Sequence, residues 1–182
     1  MTISSTTTIS QKQNQTLIFS YGTLKKGFAN HKLMQTLISQ KDAVFIGNYT
    51  TDLKLPLVQG PHGVPFLLNL PCTTSSHRVS GELYSVTDVG LQRLDVLEGV
   101  TLGHYERLPI GLRQVGGVGK VVVMAEAYFG HRSFAQEMWR RNGEKGFESF
   151  DREVEKGYVR RDLRPKDRSF REMIEIFCAE GL

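Results

Sequence analysis

Cysteine is scarce in this chain. Cys72 and Cys178 stand far apart, without metal-ligand spacing. That argues against a disulfide-stapled scaffold and for a reduced, intracellular protein, expected in the cytosol. Long apolar runs are also lacking. No stretch approaches the roughly 18 residues that a membrane span needs, so no membrane partner is expected. Excess charge of one sign is missing too. The 23 Lys and Arg face 19 Asp and Glu, a net charge of +4, and the two signs are interspersed. This near-balance argues against nucleic acid as a partner. The basic stretches RRN and VRRDLRPKDR keep a nucleic-acid binder only as a third reading. The first 16 residues, MTISSTTTISQKQNQT, have no apolar core of a secretory signal and no arginine. They read as a disordered polar tail, residues 1–16.

What is present suits one soluble domain. The chain has 182 residues, of which 40% are hydrophobic. That is enough to bury a core without staples. Leu17 to Tyr21 reads as a strand ended by Gly22. Asn30 is placed to cap a helix carrying Leu33, Met34, Leu37 and Ile38 at helical spacing. Ala43 to Tyr49 reads as a second strand. Pro56, Pro61 and Pro65 shorten the strands of the next segment, and Val64 to Leu70 is apolar enough to cross the interior. Arg78 to Val86 reads as a strand with a bulge or a close approach at Gly81. Thr87 caps a helix that runs to Glu98 and stops at Gly99. Tyr105 to Arg113 and Lys120 to Phe129 read as a hairpin around VGGVG. After residue 130, SFAQEMWRRN, FESFDREVEKGYVRR and FREMIEIF are helix-prone, and RPKDRS is a loop. Strands around two helices without regular alternation predict α+β, a small barrel with helices outside.

Two places suggest chemistry. The first is SYGTLKKG, residues 20–27. Gly22 at a strand end lets backbone approach a ligand closely. Successive N–H groups after such a turn form an anion-binding concavity. Thr23 adds a hydroxyl, and Tyr21 a ring and a phenol. The segment lacks the G-x-x-x-x-G-K spacing of a nucleotide loop. Lys25 and Lys26 read more simply as a solvated surface, and the whole loop also fits a tight strand–helix connection. The second place is GLQRLDVLEG. At about 100° per residue, Glu98 projects only about 20° from Leu91, inside the face made by Leu91, Leu94 and Leu97. Asp95 lies about 40° away on the other side, at the margin. Burial and the helix C-terminus would both raise the Glu98 pKa towards neutrality. The plainer alternatives are a frayed helix end with Glu98 in water, or an ion pair with Arg93, Arg107 or another base.

Together the motifs IFSYGTLKKGFANH, LPLVQGPHGVPFLLNLP, VSGELYSV, and LQRLDVLEG followed by HYERLPI resemble the gamma-glutamylcyclotransferase superfamily, in its AIG2-like and gamma-glutamylamine cyclotransferase branch. The resemblance covers residues 17–129. It implies a small mixed β-barrel with flanking helices, with 130–182 as a helical C-terminal extension packed on that domain. It implies cyclisation of a gamma-glutamyl group to 5-oxoproline with release of an amine, an acyltransferase-class reaction without cofactor or metal. Glu98 is then the catalytic proton carrier, and Tyr21, Gly22, Thr23 and Leu24 bind the small-molecule substrate. Tyr105 is a further lining candidate, although a packed barrel tyrosine fits it equally. A monomer is expected. The alternative is a non-catalytic AIG2-like module that binds a small ligand or a protein.

Other residues weigh less. Glu82 reads as a solvent-facing strand residue, and Arg107 as a partner for a carboxylate or a surface cap. Cys72 with His77 lacks an orienting third group. His31, His62, His104 and His131 show no ligand spacing, and His31 suits bracing the helix after the loop. Trp139 with Arg140 and Arg141 reads as the anchor of an amphipathic helix rather than a base-stacking platform.

Overall fold

Seven strands and five α-helices, with three short 3-10 turns, carry the chain in the computed structural model, which describes residues 14–71, 73–117 and 121–180. The strands are β1 (Gln15–Ser20), β2 (Ala43–Thr51), β3 (Leu57–Gln59), β4 (Pro65–Leu67), β5 (Ser80–Thr87), β6 (Tyr105–Gln114) and β7 (Val123–Gly130). The helices are α1 (His31–Ser39), α2 (Asp88–Glu98), α3 (Ala135–Arg141), α4 (Arg152–Glu155) and α5 (Phe170–Ala179). Most of the polar tail expected over 1–16 lies outside the described residues, and so does Cys72. Gln15 and Thr16 already belong to β1.

The sheet order is β1-β5-β2-β6-β7, and β7 pairs back with β1. Five strands thus close into a barrel. The β1–β7 seam is parallel while β1–β5, β5–β2, β2–β6 and β6–β7 are antiparallel, so the barrel is mixed. Closure removes the exposed edges of the ring. β4 and β3 continue from β7 as short outer strands, held short by the prolines around them.

Side chains alternate across each strand and sort into two cores. One holds Phe19, Leu67, Leu83, Leu112, Ala127 and Phe129. The other, on the opposite side of the strands, holds Ile18, Tyr84, Val86 and Tyr128 with Met34, Leu37, Leu94 and Ile174 from the helices. The irregularity expected at Gly81 is not a bulge. The register shift falls between Phe45 and Gly47 in β2, and Gly81 instead lies close against the Ser20 carbonyl and the Phe19 ring.

The segment after residue 130 differs from its helical reading. Trp139 is buried at 2% exposure and anchors α3 as expected. FESFDREVEKGYVRR, however, forms only the single turn of α4 and, at its last residue, the start of a 3-10 turn over Arg161–Leu163. Its backbone groups go to the barrel instead. Phe147 N–H donates to the Leu57 carbonyl at 2.8 Å, Ser80 N–H to the Glu148 carbonyl at 3.0 Å, and Val159 N–H to the His62 carbonyl at 2.8 Å. Backbone groups spent this way cannot also close helical turns. Phe150 from the same stretch is fully buried among the barrel side chains. No described helix is long and apolar enough to cross a membrane.

Candidate functional site

β1 and α2 meet at a pocket. The Thr87 side chain caps α2 by accepting from Gly90 N–H at 3.2 Å. At the other end Gly99 takes the left-handed conformation, φ +64°, and its N–H returns to the carbonyls of Asp95 and Val96. A Cβ there would lie 2.3 Å from His104 Nδ1. The helix is therefore stopped immediately after Glu98 without fraying, and Glu98 is its last residue.

Glu98 faces the pocket with Leu97, Tyr105, Tyr128 and the loop Ser20–Leu24. Its side chain keeps some accessible surface, which opens into this hollow with protein packed around it. Burial raises its carboxyl from an ordinary 4.5 to about 7, and the Arg161 charge opposes that rise. Neither arginine considered as a partner reaches it. Arg107 binds Asp95 at 3.1 Å and also Glu126, and Arg93 binds Gln40.

The loop opposite is built to hold its backbone open. β1 ends at Ser20, and Gly22 then passes so close to Pro65 that a Cβ would sit 2.8 Å from the proline ring. Lys25 N–H closes a turn onto the Gly22 carbonyl at 3.2 Å, and Asn30 N–H binds the Thr23 carbonyl at 2.9 Å. Among the described residues, the N–H groups of Gly22, Thr23 and Leu24 donate to no protein acceptor. Neighbours brace the turn. His31 Nδ1 donates to the Leu24 carbonyl at 2.9 Å. Asn30 Nδ2 donates to Thr23 Oγ1 at 2.8 Å. Asn30 therefore does not cap α1 with its side chain as the sequence suggested, because the amide is spent on the loop.

Three of the four tyrosines that line the pocket have committed phenols. Tyr21 donates to the Tyr128 carbonyl at 2.5 Å and accepts from Leu67 N–H at 3.2 Å. Tyr105 donates to the Pro65 carbonyl at 2.7 Å, and Tyr128 to Asp95 Oδ1 at 2.7 Å. Burial holds all three phenols well above their usual range. They present rings to the pocket rather than free hydroxyls.

The structure thus brings Tyr21, Gly22, Thr23, Leu24, Glu98 and Tyr105 to one hollow. The chain belongs to the gamma-glutamyl cyclotransferase, AIG2-like, family. The model of that family matches residues 18–146. The chain is 47% identical over 176 residues to an Arabidopsis thaliana protein that carries a provisional gamma-glutamylcyclotransferase name, covering 90% of this chain and 92% of the relative. It is 42% identical over 97 residues to the Rattus norvegicus gamma-glutamylaminecyclotransferase, covering 53% of this chain and 62% of the relative. The crystal structure of an AIG2-like protein from Mus musculus superposes with a TM-score of 0.66 at 29% identity, covering 85% of this chain and 99% of that one.

Family membership fits the barrel and this pocket, and the pocket has further members beyond the expected site residues. Ser20 lines it, and its Oγ is buried without a hydrogen-bond partner among the described residues. Tyr158, Arg161, Arg164 and Phe170 arrive from the segment around α5, beyond the family match. Lys25 is a correction. It is buried at 8% exposure, with Nζ donating to the Phe150 carbonyl at 2.8 Å, because the later segment covers what reads as a surface lysine. Glu82 is likewise spent on the loop, accepting from Lys26 N–H at 3.0 Å and from Tyr84 at 2.7 Å. No cluster of three or more His, Cys, Asp or Glu suited to a metal occurs among the described residues.

Proposed function

We propose that this protein cyclises the gamma-glutamyl group of a small gamma-glutamyl amine or gamma-glutamyl amino acid to 5-oxoproline and releases the free amine. One observation carries the reading. A carboxyl raised to about 7 shares a pocket with three unpaired backbone N–H groups of a turn.

The chemistry follows from that pairing. The substrate's α-amine attacks its own γ-carbonyl, so one C–N bond forms and the other breaks without water. Holding the chain folded converts the attack into a near-attack conformer. The ammonium form cannot attack, and a Glu98 carboxylate with a pKa near 7 takes its proton. The same carboxyl then gives a proton to the departing amine. N–H groups of Gly22 to Leu24 hold the substrate α-carboxylate or the developing oxyanion. Loss of one such donor typically costs on the order of 100- to 1000-fold in rate.

The test is release of 5-oxoproline from a panel of gamma-glutamyl compounds by the wild type and by Glu98→Gln. Turnover by the wild type, lost in the variant while ligand binding persists, is the expected result. Wild-type rates from the Gln variant would remove Glu98 from the mechanism. Silence of the wild type across the panel would favour a non-catalytic ligand-binding module.

A further inference from the structure

The segment between α4 and α5 brings two guanidiniums to the rim of the pocket. Arg161 reaches across to α2, where its Nη2 donates to the Leu97 carbonyl at 2.7 Å. Arg164 lies against the rings of Tyr158 and Phe170, at 5.4 and 5.1 Å from their centroids, and its Nε donates to the Val159 carbonyl at 2.8 Å. Each guanidinium retains further N–H groups. Neither forms an ion pair with a carboxylate among the described residues.

The charges that line the pocket do not balance. Glu98 is its one carboxylate, and Arg161 and Arg164 are two cations. A gamma-glutamyl group itself brings one ammonium and one carboxylate. On the cyclotransferase reading, on which this inference rests, the ammonium faces Glu98 and the α-carboxylate faces the loop N–H groups. With Glu98 ionised, one positive charge is then in excess, at the guanidinium pair.

We propose that Arg161 and Arg164 form a subsite for a carboxylate carried by the departing amine. Preferred substrates are then gamma-glutamyl compounds whose leaving group is an amino acid, and simple alkylamines are poor ones. Arginine suits this role because its planar fork meets a carboxylate through two parallel N–H donors and stays charged when partly covered. Arg164 is already ordered between two rings, so little side-chain freedom is lost on binding. The arginine-bearing segment lies beyond residues 18–146, so this selectivity belongs to the later part of the chain rather than to the matched family region.

The experiment uses two matched pairs that differ only in that carboxylate: gamma-glutamyl-alanine against gamma-glutamyl-ethylamine, and the ε-linked gamma-glutamyl-lysine against gamma-glutamyl-cadaverine. kcat/KM is measured for all four with the full chain, and the ratio within each pair is compared. The ratio cancels any effect of a variant on Glu98 or on the amount of folded protein. The wild type is expected to favour the carboxylate-bearing member of at least one pair by about tenfold or more, as a charge-assisted contact implies. Arg164→Gln and Arg161→Gln are each expected to bring that ratio down towards one, while Arg164→Lys keeps part of it. Arg161 is exposed, so Arg161→Gln carries the test if Arg164→Gln does not fold. Wild-type ratios near one in both pairs would overturn the subsite and leave the cyclotransferase reading standing. Variants that keep the wild-type ratio would overturn it as well. A wild type that turns over none of the four would remove the cyclotransferase reading, and this inference with it.

Discussion

Arg161 is the nearby charge that opposes the rise of the Glu98 carboxyl. The two residues lie 63 positions apart, and they meet because Arg161 binds the carbonyl of Leu97, the residue just before Glu98. Burial pushes the carboxyl up and the guanidinium pulls it back, leaving it near 7. If Glu98 must be ionised to take a proton, kcat/KM falls on the acid side with a midpoint near pH 7. Below that midpoint it falls about tenfold per pH unit. Arg161→Gln removes the opposing charge and moves the limb to higher pH. A pH profile of 5-oxoproline release measures both. An acid limb that stays in place in Arg161→Gln would show that this guanidinium does not act on the titrating group.

The same carboxyl links stability to pH. Its pKa is higher in the folded chain, about 7, than the ordinary 4.5, so the folded state binds the proton more tightly. The contribution is fully present below 4.5, is lost as pH rises through 7, and is flat above that. Glu98→Gln cannot lose it. The variant should therefore gain on the wild type by about 2.5 kcal/mol between pH 5 and pH 8. Urea unfolding at the two pH values reads the difference. A constant gap between the two proteins would mean that the Glu98 carboxyl titrates alike in the folded and unfolded chains.

Which parts of the site the sequence revealed has a physical explanation. Glu98 was visible because helix phase alone put a carboxylate on the face of Leu91 and Leu94, both buried in the structure. The loop was visible because Gly22 ends an apolar strand. Tyr128 was hidden because a tyrosine on a strand faces either core with equal ease, and only the register with β6 and β1 fixes the side. Arg161 and Arg164 were hidden for a different reason. FESFDREVEKGYVRR has helix-prone composition, and its path is set by hydrogen bonds to Leu57, Ser80 and His62, all distant in sequence. Lys25 followed suit, since only that path shows it covered by Phe150. Local propensity spoke for the barrel and its helices, and was overruled where tertiary contacts competed for the backbone.

Ser20 offers a test in which stability and affinity move in opposite directions. Its Oγ is buried and without a hydrogen-bond partner among the described residues, and the residue lines the pocket beside Tyr21 and Gly22. A buried hydroxyl that gives up water without gaining a partner costs about 1 kcal/mol or more. Ser20→Ala removes that cost, so the free protein should become more stable by roughly that amount. A polar group of the bound substrate would supply the missing partner. The same variant should then bind substrate more weakly, raising KM about fivefold for one neutral hydrogen bond of about 1 kcal/mol. A hydrogen bond made equally to bound substrate and transition state raises KM when it is lost and leaves kcat unchanged, so kcat should change less than KM. Urea unfolding of the free protein and steady-state kinetics give the two numbers. A stability gain with an unchanged KM would mean that substrate leaves this hydroxyl unpaired. A stability loss would mean that it has a partner within the folded protein, and that it does not wait for substrate.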